Sequence, residues 1–553
     1  MGPTTITSLR ESGSRLRSRL RDGVRIDART LAVFRVSIGL LVLADLFLRA
    51  RNFGYFYTDG RVVPQSLVLE TATTYPFSIY HLTTDPTLIA GLFVLQGLIA
   101  ILLIVGYKTR LAAVLTFLFI ISLDNHNPFV LSYADTLFRL LAFWAIFLPL
   151  GERWSIDAVH ADREPRTAVA SVASALILGQ MVYMYFTNGL IKSRSDVWTS
   201  GDAAPLVLGL DEMTFLLGDT VRQFPVLLEY GGLLWFLMLV CSPLLLVLRG
   251  RPRMLLAGMF VAGHLSFALT VRIGAFSYVS IAGVLLFLQA QFWDDLGAVA
   301  TRLGTGVPDI AARATRRLEG IAGRVPNSGF ADERKRLSLA SGRAYSLSLG
   351  VVVVTVLFVA TVLAVNVGGA ALDVESDQEF EERIEGSVHE TLEEHRGVAQ
   401  VETVASSLGI DQPVGWGVFA GPDPRTTDRY YVFPAETESG ELVDVYNERP
   451  LAYDRPHDEL QLQYDTYRER FYMNSVRRGG YGGNDVPGTL ADSICEQWAG
   501  EHDEELVRLN MYVVEEDITH ETIDTPGDRD REYTEFYRHG CGDNEPATVQ
   551  PPE

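Results

Sequence analysis

The stretch LAVFRVSIGLLVLADLFLRA, residues 31–50, decides the fold. It is mostly apolar and long enough to cross the hydrocarbon core of a bilayer as a helix. Comparable runs recur along the chain, and the third and fourth are short, so whether those two cross fully stays open. Nine membrane spans are predicted, at about residues 31–50, 87–105, 111–124, 134–150, 168–191, 226–248, 254–271, 275–292 and 345–367.

Charge divides the chain into two unequal parts. Residues 367–553 hold 43 Asp and Glu against 14 Arg and no Lys, a net charge of −29, whereas the rest of the chain carries about +8. The acidic part argues against a nucleic-acid partner, because phosphate groups are bound by Lys and Arg. The 44 arginines are accompanied by only three lysines, Lys108, Lys192 and Lys335. Acid excess with scarce lysine favours a halophilic, archaeal source, with an Arg-rich high-GC genome as the alternative.

Positive charge in the loops predicts the orientation in the membrane. Residues 1–26 are Arg-rich and lack a cleavable signal, so we expect a cytoplasmic N-terminus in a multi-pass plasma-membrane protein. Alternate loops are basic as well, including the linker 296–344. Within that linker, 309–322 reads as a basic amphipathic helix, either on the inner leaflet or as a solvated connector. Nine spans then place the acidic C-terminal part outside the cell.

The acidic part, residues 368–553, is here called the tail. Apolar residues every fourth position predict a helix over 370–407, and runs such as RYYVF at 429–433, LVDVY at 442–446 and LNMYVV at 509–514 predict strands. We expect the last dozen residues to be disordered. Cys495 and Cys541 would lie in an oxidising compartment, where a disulfide is possible but not required. The predicted fold is thus an all-α membrane bundle of about eight helices, over 27–295, one further transmembrane helix at 345–367, and a soluble α+β domain.

Signatures of soluble enzymes are absent from the sequence. It contains no Walker loop, no complete dinucleotide fingerprint and no GxSxG elbow. His389 and His395 are six positions apart and therefore do not share a helical face in the way zinc proteases require. No Cys/His spacing predicts a metal site.

The polar groups inside the apolar runs are more informative, because ionisable side chains in a membrane need a reason to be there. Lys192 ends the fifth run, and a lysine beside a low-dielectric cavity can act as a base, although it can also simply extend to the interface. A neutral histidine at His126 can assist a developing oxyanion, or it can be a structural cap. His264 fits an interhelical hydrogen bond, and Arg35 fits either lipid phosphate or a neighbouring helix. The remaining groups, which can pair with arginines or face the outer end, are Asp45, Asp124, Asp135 and Glu229.

The front half of the chain contains four motifs that occur in the same order in a known protein family. They are FRVSIG at 34–39 with FYTDG at 56–60; SLDNHN at 122–127 with WSID at 154–157; YFTNGLIK at 185–192 with Trp198; and HLSF at 264–267 with IGAF at 273–276. Over about residues 27–295 the chain resembles the HTTM domain, the membrane domain shared with vitamin K-dependent γ-glutamyl carboxylase. The tail is similar to those of haloarchaeal HTTM proteins.

The resemblance implies a chemistry and its residues. In the carboxylase a lysine deprotonates vitamin K hydroquinone, oxygen then yields a strong base that takes a γ-proton from glutamate, carbon dioxide adds, and the quinone leaves as its epoxide. Lys192 matches that base and His126 the assisting histidine. Asn125, Tyr185, His264 and Arg35 fall in the matching stretches and are predicted to bind substrate or cofactor, here a reduced naphthoquinone such as menaquinol.

Departures from the carboxylase pattern leave the function open. Ile191 stands where the carboxylase has a second lysine, the following tryptophan lies one residue further along, and a smaller acidic tail replaces the propeptide-binding region. One hypothesis is therefore a quinol-dependent carboxylase or epoxidase with an unknown extracellular protein or peptide acceptor. The alternative is a non-enzymatic, membrane-anchored scaffold or binding protein. A transporter is disfavoured, because no internal repeat is visible.

Overall fold

The computed structural model describes residues 21–72, 76–161, 163–304, 307–327 and 423–552. The expected span 345–367 and the expected helix 370–407 lie outside these ranges. The first four ranges are mostly helical, and the last contains a β-sheet with helices packed on it.

Ten helices of ten or more residues make up the front half. They are α1 Ala28–Arg51, α2 Pro86–Val105, α3 Thr109–His126, α4 Tyr133–Ala145, α5 Val172–Lys192, α6 Pro225–Val240, α7 Arg251–Thr270, α8 Phe276–Leu285, α9 Ala290–Arg302 and α10 Val307–Ala322. Short helices at Phe53–Phe56, Gln65–Thr71, Ile156–His160, Asp196–Ser200, Ala203–Leu208, Gly218–Arg222 and Leu244–Val247 connect them, with single 3₁₀ turns at Tyr80–Leu82 and Pro128–Val130. A two-residue antiparallel pair joins Ile26–Asp27 to Ala168–Val169.

Side-chain caps fix where several of these helices begin. Asp27 accepts the backbone N–H of Arg29 at the start of α1, and Asp85 accepts two N–H groups at the start of α2. Ser171 caps α5, and Ser132 forms a reciprocal capping box with Asp135 on α4. Each cap satisfies backbone N–H donors that have no partner within the helix.

Three of the described helices are long and apolar enough to cross a membrane: α1, α2 and α7. The pair α8 and α9, bent by 99°, adds a fourth if it forms one broken span. The apolar helices therefore indicate a membrane protein, and the count of about eight crossing helices stays a prediction.

Two expected spans are interrupted. The run 226–248 ends as helix α6 at Val240 and resumes at Leu244, because Pro243 lacks the N–H that would continue the ladder. The run 275–292 ends at Leu285, and the chain turns before α9. Asp294 and Asp295 of α9 pair with Arg29 and Arg251, so α9 lies across the ends of α1 and α7 rather than continuing α8.

The described part of the tail is a six-stranded, wholly antiparallel sheet with two helices. Its strands are β1 Thr427–Val432, β2 Pro434–Thr437, β3 Leu442–Asp444, β4 Arg449–Pro450, β5 Leu506–Asp517 and β6 Arg531–Gly540, and its helices are α11 Tyr467–Gly482 and α12 Val486–Glu501. The 3₁₀ turns are Leu460–Gln463 and Pro526–Asp528. The long strand β5 is central: β1 and β2 pair in succession along one side, β6 pairs along the other, and β3 and β4 extend from β2. The strands predicted at 429–433, 442–446 and 509–514 are present.

The end of the chain is held in place. A disulfide joins Cys495 on α12 to Cys541 after β6. Val549 is buried and its N–H donates to Asn510, while the carbonyl of Gln550 accepts from Tyr453. The expectation of a disordered last dozen residues is wrong, because these contacts attach the segment to the sheet.

The tail packs on the end of the helical region at which α1, α3 and α5 finish. Tyr472 of α11 donates to the carbonyl of Val62, and Ser475 donates to that of Phe129. Arginines of the tail add ion pairs to acids of the helical region. The tail and the helical region thus share one interface.

Candidate active site

The last turns of α5 carry three polar side chains on one face. Tyr185, Asn188 and Lys192 are spaced three and four residues apart, which aligns them along a helix. All three side chains are buried, and that of Lys192 is only 1% exposed. Gly189 between them lets α6 approach, because a Cβ there would lie 2.8 Å from the backbone nitrogen of Val240. The sequence motif YFTNGLIK therefore builds a polar stripe against a closely packed neighbour.

This stripe lines a partly open cavity, called here the lysine cavity, whose empty volume is about 390 Å³ when the adjoining open solvent is counted. Four helices and one connection supply its walls. The lining residues are Met184, Tyr185, Asn188, Lys192, Trp235, Leu239, His264, Phe267, Ile273 and Phe276. An apolar and aromatic wall with a few convergent polar groups is the usual form of a small-molecule site.

The amine of Lys192 lies over an aromatic face, with Nζ 4.5 Å from the centroid of the Trp198 ring. Trp198 belongs to the short helix Asp196–Ser200, which Ser195 caps through the N–H of Trp198. The Ser195 hydroxyl in turn donates to the carboxylate of Asp423 in the tail at 2.5 Å. The tryptophan noted after the lysine motif is thus a direct neighbour of the lysine, and the tail touches the residue that positions it.

Tyr185 and His264 form a buried pair inside the cavity. The Tyr185 hydroxyl is 2.7 Å from Nε2 of His264, which reaches in from α7. Nδ1 of His264 is buried and has no hydrogen-bond partner among the described residues. A buried polar atom left in this state is the kind of feature expected where a ligand completes the hydrogen bonding.

His126 and Asn125 occupy a different pocket of side chains. Nε2 of His126 is 3.4 Å from the carbonyl of Tyr57, and its ring packs among those of Tyr57, Tyr80 and His81 at centroid distances of 5.6–6.2 Å. Asn125 donates to the carbonyl of Phe77. Neither residue lines the lysine cavity. The structure therefore brings Lys192 together with Tyr185 and His264, and not with His126.

Arg35 does not line the lysine cavity, and its contacts are structural. Its guanidinium donates to four backbone carbonyls, those of Ile104, Leu150, Arg153 and Trp154, at 2.6–3.2 Å. These bonds tie α1 to the end of α2 and to the loop that follows α4. The predicted ligand-binding role has no support in this geometry.

A second buried polar centre lies at the tail-facing end, and we call it the charged cluster. Arg49 contacts three carboxylates: Asp45 at 2.8 Å, Asp124 at 2.6 Å and Asp135 at 3.3 Å. Arg139 approaches Asp124 from α4 at 3.4 Å. The sixth member, Arg468, comes from α11 of the tail and contacts Asp45 at 2.5 Å and Asp135 at 2.9 Å. The sequence singled out the three acids, and the expected pairing of Asp45 with arginine is present, but the partners Arg49 and Arg468 were not identified.

The tail makes a further set of ion pairs with the connection between α5 and α6. Glu212 is contacted by Arg425 and Arg470, and Asp211 by Arg455 and Arg529. Asp428 of β1 accepts the backbone N–H groups of both acids, at 2.8 and 3.1 Å. These contacts hold the tail against the segment that leads out of the Lys192 helix. Among the described residues, no group of three or more His, Cys, Asp or Glu is placed to hold a metal ion.

Residues 24–293 match the family model of the HTTM domain. The chain carries an HTTM domain. This is the membrane-domain family of γ-carboxylase, and the match spans both the lysine cavity and the acids and Arg49 of the charged cluster. No solved structure matches the chain. The tail lies beyond the matched residues, so its Arg468 completes the charged cluster from outside the HTTM domain.

Proposed function

We propose that this HTTM protein is a quinol-dependent membrane enzyme of the carboxylase or epoxidase type, with Lys192 as its base. The observation that carries the proposal is the convergence of Lys192, Tyr185 and His264 on one aromatic-walled cavity. A general base must lie within reach of the proton it removes, in a site from which bulk water is excluded. The buried amine of Lys192 meets the second condition, and the cavity beside it provides room for the first.

The lining residues fit a reduced naphthoquinone. The rings of Trp235, Phe267 and Phe276 offer flat apolar surfaces for a fused aromatic head. Nδ1 of His264, to which no other described residue is hydrogen-bonded, offers a hydrogen-bonding atom for a ring oxygen. When bound, such a quinol supplies the electrons and the activated oxygen chemistry that the side chains of this chain lack.

The residues themselves have separate tasks. Nζ of Lys192 would accept a proton from a hydroxyl group in the cavity, since an amine surrounded by apolar groups is costly to keep charged. The Tyr185–His264 pair would fix the other side of the ligand through hydrogen bonds. Trp198, lying over the amine, would stabilise it once it is protonated. The resemblance assigns a helping role to His126, and in this proposal that role is indirect.

The proposed setting follows the distribution of charge. The N-terminus is cytoplasmic, nine spans cross the plasma membrane of a halophilic archaeon, and the tail is extracellular. The paired residues Arg29, Arg251, Asp294 and Asp295 gather at one end of the bundle and the tail packs at the other, which supports this orientation. Partners would be the lipid bilayer, the quinol and an unidentified extracellular protein or peptide acceptor.

The test is epoxide formation from reduced menaquinone under air, with protein purified in high salt. Lys192→Met keeps the shape of the side chain and removes the amine, so epoxide formation should fall by at least about 100-fold, the contribution expected of a general base. Lys108→Arg is the matched control, because Lys108 is exposed and its replacement keeps a positive charge.

The contrary outcome favours the alternative function. If folded wild-type protein forms no epoxide, or forms it equally well without Lys192, the quinol enzyme is wrong. A membrane-anchored binding protein would then be the better proposal, and the extensive ion pairing between tail and HTTM domain is the observation that favours it.

A further inference from the structure

The residues that line the lysine cavity differ in how deeply they are buried. Eight of its ten lining residues are buried, and Trp235 and Phe267 are only half-buried. These two side chains face each other across the seam between α6 and α7, with ring centroids 4.8 Å apart and an interplanar angle of 84°. The boundary between the cavity and the exterior is therefore made by two aromatic rings.

The exterior at this seam is apolar. Leu234 and Leu237 are exposed on α6 beside Trp235, and Leu265 and Leu269 are exposed on α7 beside Phe267. α7 is one of the helices apolar enough to cross a bilayer. Exposed leucines on neighbouring helices of a membrane protein face lipid rather than water.

The tail closes the end of the cavity where water would enter. Ile273 and Phe276 form that part of the wall, and the residues between α7 and α8 are held by the tail. Arg272 donates to the carbonyl oxygens of Gln461 and Tyr464, at 2.5 and 3.4 Å. Gly274 packs against Tyr467 so closely that a Cβ would lie 2.2 Å from the ring.

We propose that Trp235 and Phe267 form a gate through which the cavity takes its ligand directly from the bilayer. The ligand class is an amphiphile whose polar head reaches Lys192 and the Tyr185–His264 pair, while its apolar tail remains between α6 and α7. Only the identity of that head as a quinol rests on the proposed function.

Both rings lie at the partly exposed edge of the aromatic packing around His264, whose ring centroid is 5.3 Å from that of Trp235 and 6.0 Å from that of Phe267. Trp235 packs on Gly263 of α7, where a Cβ would lie 2.7 Å from the ring. A small residue at that position gives the indole space at the seam. Rotation of either aromatic side chain opens the wall without moving a helix, a motion of the kind that gates many buried sites.

Thiol labelling tests the route without any quinol chemistry, so it fails or succeeds independently of the proposed function. The free Cys241 is replaced by Ser, and Met184→Cys, on the cavity wall, serves as the reporter in protein reconstituted into bilayers. Its reaction with phenylmercury, which dissolves in lipid, is compared with that of the water-soluble sulfonated analogue, and mass spectrometry follows both. Leu237→Cys on the lipid face and Tyr481→Cys on the tail surface are the control positions.

The expected result has two parts. Phenylmercury should modify Met184→Cys at least about tenfold faster than the sulfonate does, because a charged reagent is excluded from an apolar route. Adding Phe267→Ala should raise the phenylmercury rate further, whereas adding Arg272→Gln, which loosens the tail contact, should not.

The proposal is overturned if Arg272→Gln rather than Phe267→Ala accelerates labelling, since the entrance would then lie under the tail. It is equally overturned if the sulfonate reacts as fast as phenylmercury, or if the cavity thiol stays unmodified while both control positions react. Size-exclusion profiles of every variant establish that the compared proteins are folded.

Discussion

The lysine cavity and the charged cluster both hold buried polar groups, but these groups have different kinds of neighbours. In the cluster, every charge lies within 3.4 Å of an opposite charge, so burial is compensated inside the protein. In the cavity, the Lys192 amine lies against an aromatic ring, and His264 keeps a ring nitrogen without a partner among the described residues. The comparison teaches that charges paired with one another inside the protein hold its parts together, whereas polar groups that line a cavity are available to a ligand.

The largest expected effect contrasts the two centres directly. Arg49→Met leaves the buried Asp124 and Asp135 and the partly exposed Asp45 with less compensation, and it should lower the free energy of unfolding by about 4 kcal/mol. Lys192→Met should change it little, because it removes a buried amine whose charged form is costly in apolar surroundings. Thermal unfolding in lipid nanodiscs measures both, and an equal loss in the two variants would contradict the distinction.

A smaller effect is expected where the tail enters the cluster. Arg468→Met removes one of two arginines that contact Asp135, leaving Arg49, so the loss should be about 2–3 kcal/mol. It should appear as faster hydrogen exchange along α11, where the tail meets the HTTM domain. Arg478→Met on the same helix is the control, because Arg478 is exposed. Unchanged exchange in Arg468→Met would mean that the cluster is complete without the tail.

The next effect is a pH dependence of the stability of the tail, caused by a carboxyl group that has no place in the charged cluster. Glu469 of α11 is partly buried, and desolvation raises the pKa of its carboxyl from 4.5 to about 7, although the hydrogen bond from the Asp465 N–H opposes the shift. A raised carboxyl pKa stabilises the fold below about pH 4.5, and the stabilisation is lost as the pH rises through 7.

The tail should therefore unfold at a lower temperature at pH 8 than at pH 6, with a difference of about 1.3 kcal/mol in free energy. In Glu469→Gln this pH dependence should be strongly reduced, because the amide does not titrate. Calorimetry across the two pH values at constant salt gives the answer. The same slope in both proteins would show that another group titrates.

The smallest effect lies inside the cavity. Tyr185→Phe removes the hydroxyl that contacts His264 and should cost about 1 kcal/mol of stability, the usual net value of one hydrogen bond. Tyr183→Phe on the same helix is the matched control, since Tyr183 is exposed. If Tyr185→Phe destabilises as much as Arg49→Met, the cavity is a structural centre like the charged cluster.

Much of the helical architecture could be predicted from hydrophobic runs. The runs at 31–50, 87–105 and 254–271 correspond closely to α1, α2 and α7, because an apolar stretch of that length has few alternatives to a helix. The runs at 226–248 and 275–292 were less predictable. Composition alone does not show that Pro243 interrupts one, or that Asp294 and Asp295 draw the continuation of the other across the bundle end.

The site was predictable only in part, for a physical reason. The family resemblance predicted Lys192, Tyr185 and His264 as site residues, and the structure shows that the first two lie on one face of α5. The partners contributed by distant segments could not be read from local patterns. No local pattern distinguishes Trp235 from the other apolar residues of its helix, or Arg468 from the other arginines of the tail. Only the fold places Trp235 at the cavity and Arg468 in the cluster.

The place of Arg468 has a consequence for the order in which the molecule is made. Its carboxylate partner Asp45 precedes it by 423 residues, an interval of tens of seconds at ordinary rates of synthesis. During that interval Asp45 can already pair with Arg49, which lies one helical turn away on the same helix. When the HTTM domain has been synthesised, its charged cluster therefore still lacks Arg468. The cluster is complete only after the last quarter of the chain has been made and has packed on the domain.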